Sequence, residues 1–177
     1  MSFAVTLQID ADAEAAVLSI REKLLRRGIH PIPDEMRARP HLTLGMWNGQ
    51  TPAGFLARLA GFAAVLPAQE LTFSSIGLFP NREGILFLAP VVTSALLDLH
   101  THFHHEVVPP GLEPDRACLP GAWTPHLTLA IALADWEMHA AVDIAREPPM
   151  PLAARISEIA LFEFPPAQEI AAYPLVN

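Results

Sequence analysis

The tetrapeptide HLTL occurs twice in this chain of 177 residues, at 41–44 and at 126–129, each time directly after a proline, Pro40 or Pro125. At average residue frequencies two such copies have a chance probability on the order of one in a million. The copies stand 85 residues apart (126 minus 41), about half the chain. Each sits in the same local order of strand, helix, proline-rich loop, strand and helix. One long unit used twice signals duplication rather than a solenoid array of many short repeats. The expectation is one domain made of two related halves, about 1–82 and 83–177.

The rest of the pattern agrees. SFAVTLQI alternates, with Phe3, Val5, Leu7 and Ile9 on one face and Thr6 and Gln8 on the other, which predicts a strand. A helix follows in ADAEAAVLSIREKLLRRG, capped by Asp10 or Asp12, with Val17, Ile20 and Leu24 on one face and Gly28 as its stop. IHPIPDEMRARP has no periodicity and reads as a loop leading into the strand HLTLGMW. Thr51 and Pro52 predict the N-cap and first position of a second helix, AGFLARLAGFAAVL, before the strand ELTFSSIGLF. The second half repeats this order: strand GILFLAP, helix VVTSALLDLHTHFHHEVV, a long loop over 109–125, and strand HLTLAIAL. Asp135 is expected to cap the helix WEMHAAVDIAREP, and ARISEIALFEF and EIAAYPLV to close the fold as strands. A loop as long as 109–125 is uncommon in a compact domain and is typical of a lid or binding loop.

Composition limits the partners. Half the residues, 51%, are apolar and only 17% are charged, so the chain has enough apolar side chains for a sizeable core. The net charge of −8 opposes sequence-independent binding to long nucleic acid, which needs a surplus of Lys and Arg. A small nucleotide or one RNA terminus is the expected partner, bound by Arg, His, hydroxyls or backbone N–H groups, because Lys23 is the one lysine. Cys118 stands alone, which leaves no internal disulfide and suits a reducing, cytoplasmic location. The apolar runs are too short for a membrane-spanning helix, and a soluble monomer is expected.

In a strand, residues i and i+2 share a face, so His41 projects with Thr43 and His126 with Thr128, while Leu42, Leu44, Met46, Leu127, Leu129, Ile131 and Leu133 point into the core. A pseudo-twofold axis between the halves would set the two pairs across one groove. In-line displacement at phosphorus wants a base on the entering oxygen and an acid on the leaving one, and histidine fills either role near neutral pH. The threonine hydroxyls suit the non-bridging oxygens, where negative charge builds.

With two H-x-T motifs half a chain apart, the sequence resembles the 2H phosphoesterase superfamily, in particular its branch of bacterial 2'-5' RNA ligase and cyclic phosphodiesterase proteins. SFAVTLQI is similar to the first strand of that family, RPHLTLGMW and TPHLTLAIAL to its two signatures, and SSIGLFPNREGILFLAP to the link between its lobes. The resemblance implies an α+β, bilobal, duplicated fold in which two antiparallel sheets face a central cleft with helices outside. It implies opening of 2',3'-cyclic phosphates, or cleavage of related phosphodiesters, without a metal or other cofactor. His41 and His126 are then catalytic, and Thr43 and Thr128 bind phosphate. By the same analogy His41 protonates the leaving ribose oxygen and His126 activates water. Formation or cleavage of 2'-5' linkages is an alternative if the cleft holds two nucleosides, and a phosphate-binding module without turnover is an alternative from another class.

Several residues are candidates for substrate contact. Arg82 lies in a turn, Arg37 and Arg39 precede the first motif, and Trp47 shares the face of His41 by strand parity and offers a stacking surface. Arg116 and Trp123 lie in the long loop before the second motif. LHTHFHH places His100 and His104 on one helical face but offers no further ligand to complete a tetrahedral set, so it reads as a solvated face and not a metal site. His30 and His139 are read as surface residues, and Cys118 as structural.

Overall fold

The structure, a computed structural model, describes residues 1–79 and 83–176. In chain order it contains β1 (Ser2–Ile9), α1 (Ala11–Arg26), β2 (His41–Asn48), α2 (Phe55–Ala63), β3 (Gln69–Leu78) and β4 (Leu86–Pro90). Then come α3 (Ser94–Glu106), β5 (Leu127–Ala130), α4 (Asp135–Ala145), β6 (Leu152–Phe164) and β7 (Gln168–Pro174). No helix among the described residues is long and apolar enough to cross a membrane.

The Asp10 carboxylate accepts from the N–H groups of Asp12 and Ala13, both at 3.1 Å, and so caps α1. At its other end Gly28 takes φ +81°, and Ile29 N–H reaches back to the Leu24 carbonyl at 3.0 Å. Between these stops Ala13, Val17, Ile20 and Leu24 are buried. Two helix starts differ from expectation. α2 begins at Phe55, not beside Pro52, because Gly54 takes φ +78° and turns the chain before it can coil. α4 is capped at Ala134, whose N–H donates to the Glu137 carboxylate at 2.8 Å, so Asp135 is its first residue.

All seven strands join in one antiparallel sheet of order β1-β2-β5-β4-β3-β6-β7, where two sheets were expected. The reason is β6. This strand of 13 residues pairs with β3 through its N-terminal part, Leu152 to Ile156, and with β1 through Ile156 to Phe164. The extra β1–β6 ladder closes six strands into a ring, with β7 added on β6. Exchanging β1 with β4, β2 with β5 and β3 with β6 leaves the ring order unchanged, so the strand pairing itself carries a twofold relation.

The core runs along the β1 face of Phe3, Val5, Leu7 and Ile9, and takes in Leu42, Leu44, Leu127, Leu129 and the inner faces of the helices. β1 is buried on its other face too: Thr6 and Gln8 are fully buried, and Gln8 Nε2 donates to Thr6 Oγ1 at 2.8 Å.

Candidate active site

β2 and β5 touch through one residue pair, Leu42 with Leu127. These are equivalent positions of the two HLTL copies, as a local twofold between antiparallel strands requires. Continuing the register by one residue on each side sets His41 across from Thr128 and Thr43 across from His126. A cavity of about 200 Å³ lies on this face, lined among others by His41, Thr43, Thr128, Met46, Phe164 and Arg21. His126 lies just before β5 and close enough to His41 that a charge on it disfavours a charge on His41.

Both imidazoles are held in the same way. His41 Nδ1 lies 2.6 Å from the Arg39 carbonyl and His126 Nδ1 lies 2.8 Å from the Thr124 carbonyl. A carbonyl only accepts, so each Nδ1 carries the proton and each neutral ring keeps Nε2 as a bare base. Burial pushes the His41 pKa down to about 4, and the Arg21 and His126 charges push the same way against the raising effect of the Arg39 carbonyl. Burial also lowers that of His126, partly offset by the Thr124 carbonyl. Near pH 7 both rings of the free protein are therefore neutral.

The strand carrying the first motif is not regular. Against β1 the register passes from Val5–Gly45 to Thr6–Thr43, so Leu44 is an extra residue in β2. Such a bulge reverses the alternation that follows it. Leu42 and Leu44 are buried as parity predicts, but beyond the bulge Met46 is exposed on the cavity while Trp47 turns inward. This corrects the placement of Trp47 beside His41. Its ring stacks on Phe3 at 5.2 Å and meets Phe55 and Phe103 edge-on, in the core.

On its other side β2 pairs with β5 only at Leu42, so the carbonyls of Thr43 and Leu44 lie beyond that ladder. Side chains take over. Trp123 Nε1 donates to the Thr43 carbonyl at 2.8 Å, and His100 and His104 each bring Nε2 to 3.1 Å from the Leu44 carbonyl. Trp123 lies flat on the His100 ring at 4.0 Å. His100 is 2% exposed, which corrects the solvated-face reading for that position and for the half-buried His104, while His102 and His105 are exposed. The two Nε2 atoms, 3.2 Å apart, are donors converging on one acceptor, and burial first and then the His104 charge push the His100 pKa down to about 4. Among the described residues no group of three or more metal-ligating side chains exists.

The 109–125 loop, expected as a lid or binding loop, thus docks along the open edge of β2. Asp115 N–H donates to the Met46 carbonyl at 2.8 Å, and Cys118 is buried beneath. Arg39 turns its guanidinium to Glu14 and Glu158, at 3.0 and 2.9 Å, away from the cavity; only its carbonyl serves the site. Arg116, His30 and His139 are exposed, and Arg37 pairs with Asp34. Arg82 lies outside the described residues. The second motif also departs from expectation: β5 ends at Ala130, and the N–H groups of Ile131, Ala132 and Leu133 turn to Pro31, Glu83 and Gly84.

Sequence reasoning missed Arg21. Its Nη2 donates to the Thr128 carbonyl at 2.8 Å, 107 residues away in the chain, and its guanidinium lines the cavity. Nothing local distinguishes this arginine from the other basic residues of α1.

A family model described as the 2'-5' RNA ligase superfamily matches residues 48–165, which takes in the second HLTL copy and begins after the first. No curated protein matches. Among solved structures, TT0787 of Thermus thermophilus is similar with a TM-score of 0.66 at 19% identity, over 99% of this chain and 98% of that one. E. coli LigT complexed with 3'-AMP gives 0.62 at 18%, over 99% and 98%. Kluyveromyces marxianus Usb1 gives 0.51 at 11%, over 98% of both chains. At these identities the likeness is one of fold.

Proposed function

The chain belongs to the 2'-5' RNA ligase superfamily, and on that premise we propose that it is a metal-independent phosphoesterase that opens the 2',3'-cyclic phosphate of a nucleotide or RNA terminus. The observation that supports this is the Leu42–Leu127 pairing of equivalent residues beside a cavity lined by His41, Thr43 and Thr128, with His126 just before β5. One imidazole takes a proton from water through its bare Nε2, and the water oxygen attacks phosphorus. The bond from phosphorus to one ribose oxygen breaks, and the other imidazole delivers a proton to that oxygen. Thr43 and Thr128 donate to the non-bridging oxygens. The acid must be charged although both free rings are neutral; a bound phosphodiester anion supplies the counter-charge that raises its pKa.

The family resemblance makes His41 the acid and His126 the base. The reverse assignment is favoured by one observation: the Arg21 charge disfavours a charged His41. On the same reading the closed sheet divides into two lobes, about 1–82 and 83–177, related by the local twofold and facing each other across the cleft. E. coli LigT has been seen with 3'-AMP, a small nucleotide, which supports a small nucleotide as the ligand. The lone cysteine accords with a reducing, cytoplasmic compartment.

Phosphorus NMR of the four 2',3'-cyclic nucleotides, incubated with EDTA-treated protein, tests the proposal. Conversion of the cyclic resonance to a monoester is expected for the wild type and not for His41→Ala or His126→Ala. Equal conversion by all three would overturn it.

A further inference from the structure

Three arginines surround the first motif, and two are neutralised: Arg39 by Glu14 and Glu158, Arg37 by Asp34. Arg21 has no ion pair among the described residues. One side of its guanidinium is fixed by the Nη2 bond to the Thr128 carbonyl, while its Nε is sealed from solvent and has no hydrogen-bond partner among the described residues. Burial pushes its pKa down to about 10, which leaves it charged at neutral pH. A partly buried cation with an idle donor is costly unless an anion completes it. It shares its cavity with both motif threonines and His41. A second buried polar atom without a partner among the described residues, Gln8 Oε1, belongs to the β1 residue paired with His41.

We propose that Arg21 is a catalytic residue of this site, binding a non-bridging oxygen of the substrate phosphate through the Nη donors that the Thr128 carbonyl leaves free. This rests on the phosphoesterase reading and adds to it the charge that the sequence motifs lack. Two hydroxyls and two neutral imidazoles offer no fixed positive charge, whereas attack at phosphorus concentrates negative charge on the non-bridging oxygens. Guanidinium is suited to that task because its planar fork meets two oxygens at once. The Thr128 carbonyl holds it in place before substrate arrives, so the second motif positions the cation as well as donating its own hydroxyl.

The test separates binding from turnover. Wild-type protein is titrated with inorganic phosphate while the Arg21 Nε–H resonance and the His41 and His126 ring signals are followed by nitrogen-15 NMR. A saturable movement of the Arg21 Nε–H is expected; a signal that stays fixed while the histidines respond would overturn the proposal without any variant being needed. Arg21→Gln should weaken phosphate at least tenfold and lower kcat/KM for 2',3'-cyclic nucleotides about 10²- to 10³-fold, with Arg21→Lys intermediate. A folded Arg21→Gln protein with unchanged phosphate affinity and turnover would show that the cation serves only the Thr128 carbonyl. Arg21-dependent phosphate binding without turnover by the wild type would sink the phosphoesterase reading and the catalytic role, leaving a phosphate-binding site.

Discussion

The two HLTL copies are the same in letters, in the carbonyl that holds each Nδ1 and in the leucine through which they pair. They differ in what surrounds them. The first lies in an eight-residue strand bulged at Leu44, with Arg21 on its cavity side and Phe162 stacked on His41 at 6.2 Å. The second lies at the head of a four-residue strand, its His126 enclosed by the rings of Phe79 and Phe87 at 4.8 and 5.3 Å. The two copies share their letters but not their electrostatics. Burial lowers both imidazoles, but only His41 also feels a fixed cation. Such unequal environments separate an acid from a base when the side chains are identical.

The largest effects should come from the histidines themselves. His41→Ala and His126→Ala should each lower kcat/KM on a 2',3'-cyclic nucleotide by roughly 10²- to 10⁴-fold. Repeating the assay on a nucleotide p-nitrophenyl ester sharpens the contrast, because a good leaving group needs no acid. The variant that recovers has lost the acid, and equal recovery would mean the two copies are interchangeable. Thr43→Ala and Thr128→Ala should follow, each losing about 10²-fold, mainly in kcat if the hydroxyls act on the developing charge.

Smaller effects test the side chains that brace the first copy, Trp123 on the Thr43 carbonyl and His100 and His104 on that of Leu44. Trp123→Phe removes the donor to the Thr43 carbonyl and should cost about 1–3 kcal/mol in chemical denaturation, with activity falling alongside. Gly45→Ala should cost a similar 1–3 kcal/mol, since an added Cβ would stand 2.4 Å from the Trp47 ring, which Phe3, Phe55 and Phe103 hold in place. The pH dependence follows from His41 and His100, both held to about 4 against an ordinary 6.5. Between those values the unfolded chain binds protons that the folded chain refuses, so stability is present above pH 6.5 and falls as pH drops towards 4. Thermal melts at pH 7 and pH 4.5 should show this, and His100→Gln should reduce the difference. An unchanged difference in that variant would assign the acid sensitivity to His41 and other groups.

What was legible in the sequence was whatever depends on neighbours in the chain. Asp10 caps α1 and Gly28 ends it because caps act over three or four residues. The faces of β1 and the pairing of His41 with Thr43 follow from a period of two. The repeated motif was readable because both copies carry the same letters. Parity stopped serving at Leu44, since a bulge is fixed by the register against β1 and leaves no mark on the residues it displaces; Met46 and Trp47 exchanged faces there. Helical phase put His100 and His104 together but not what they face, which is a carbonyl 56 and 60 positions away. Arg21 was the least legible, one basic residue among several on α1, singled out only by a carbonyl 107 residues distant. The two motifs and their local order were written in the chain, because these are covalent and short-range. Which of the two motif histidines would feel the charge of Arg21 was left to the folded molecule, because burial and charge act across whatever the fold brings near.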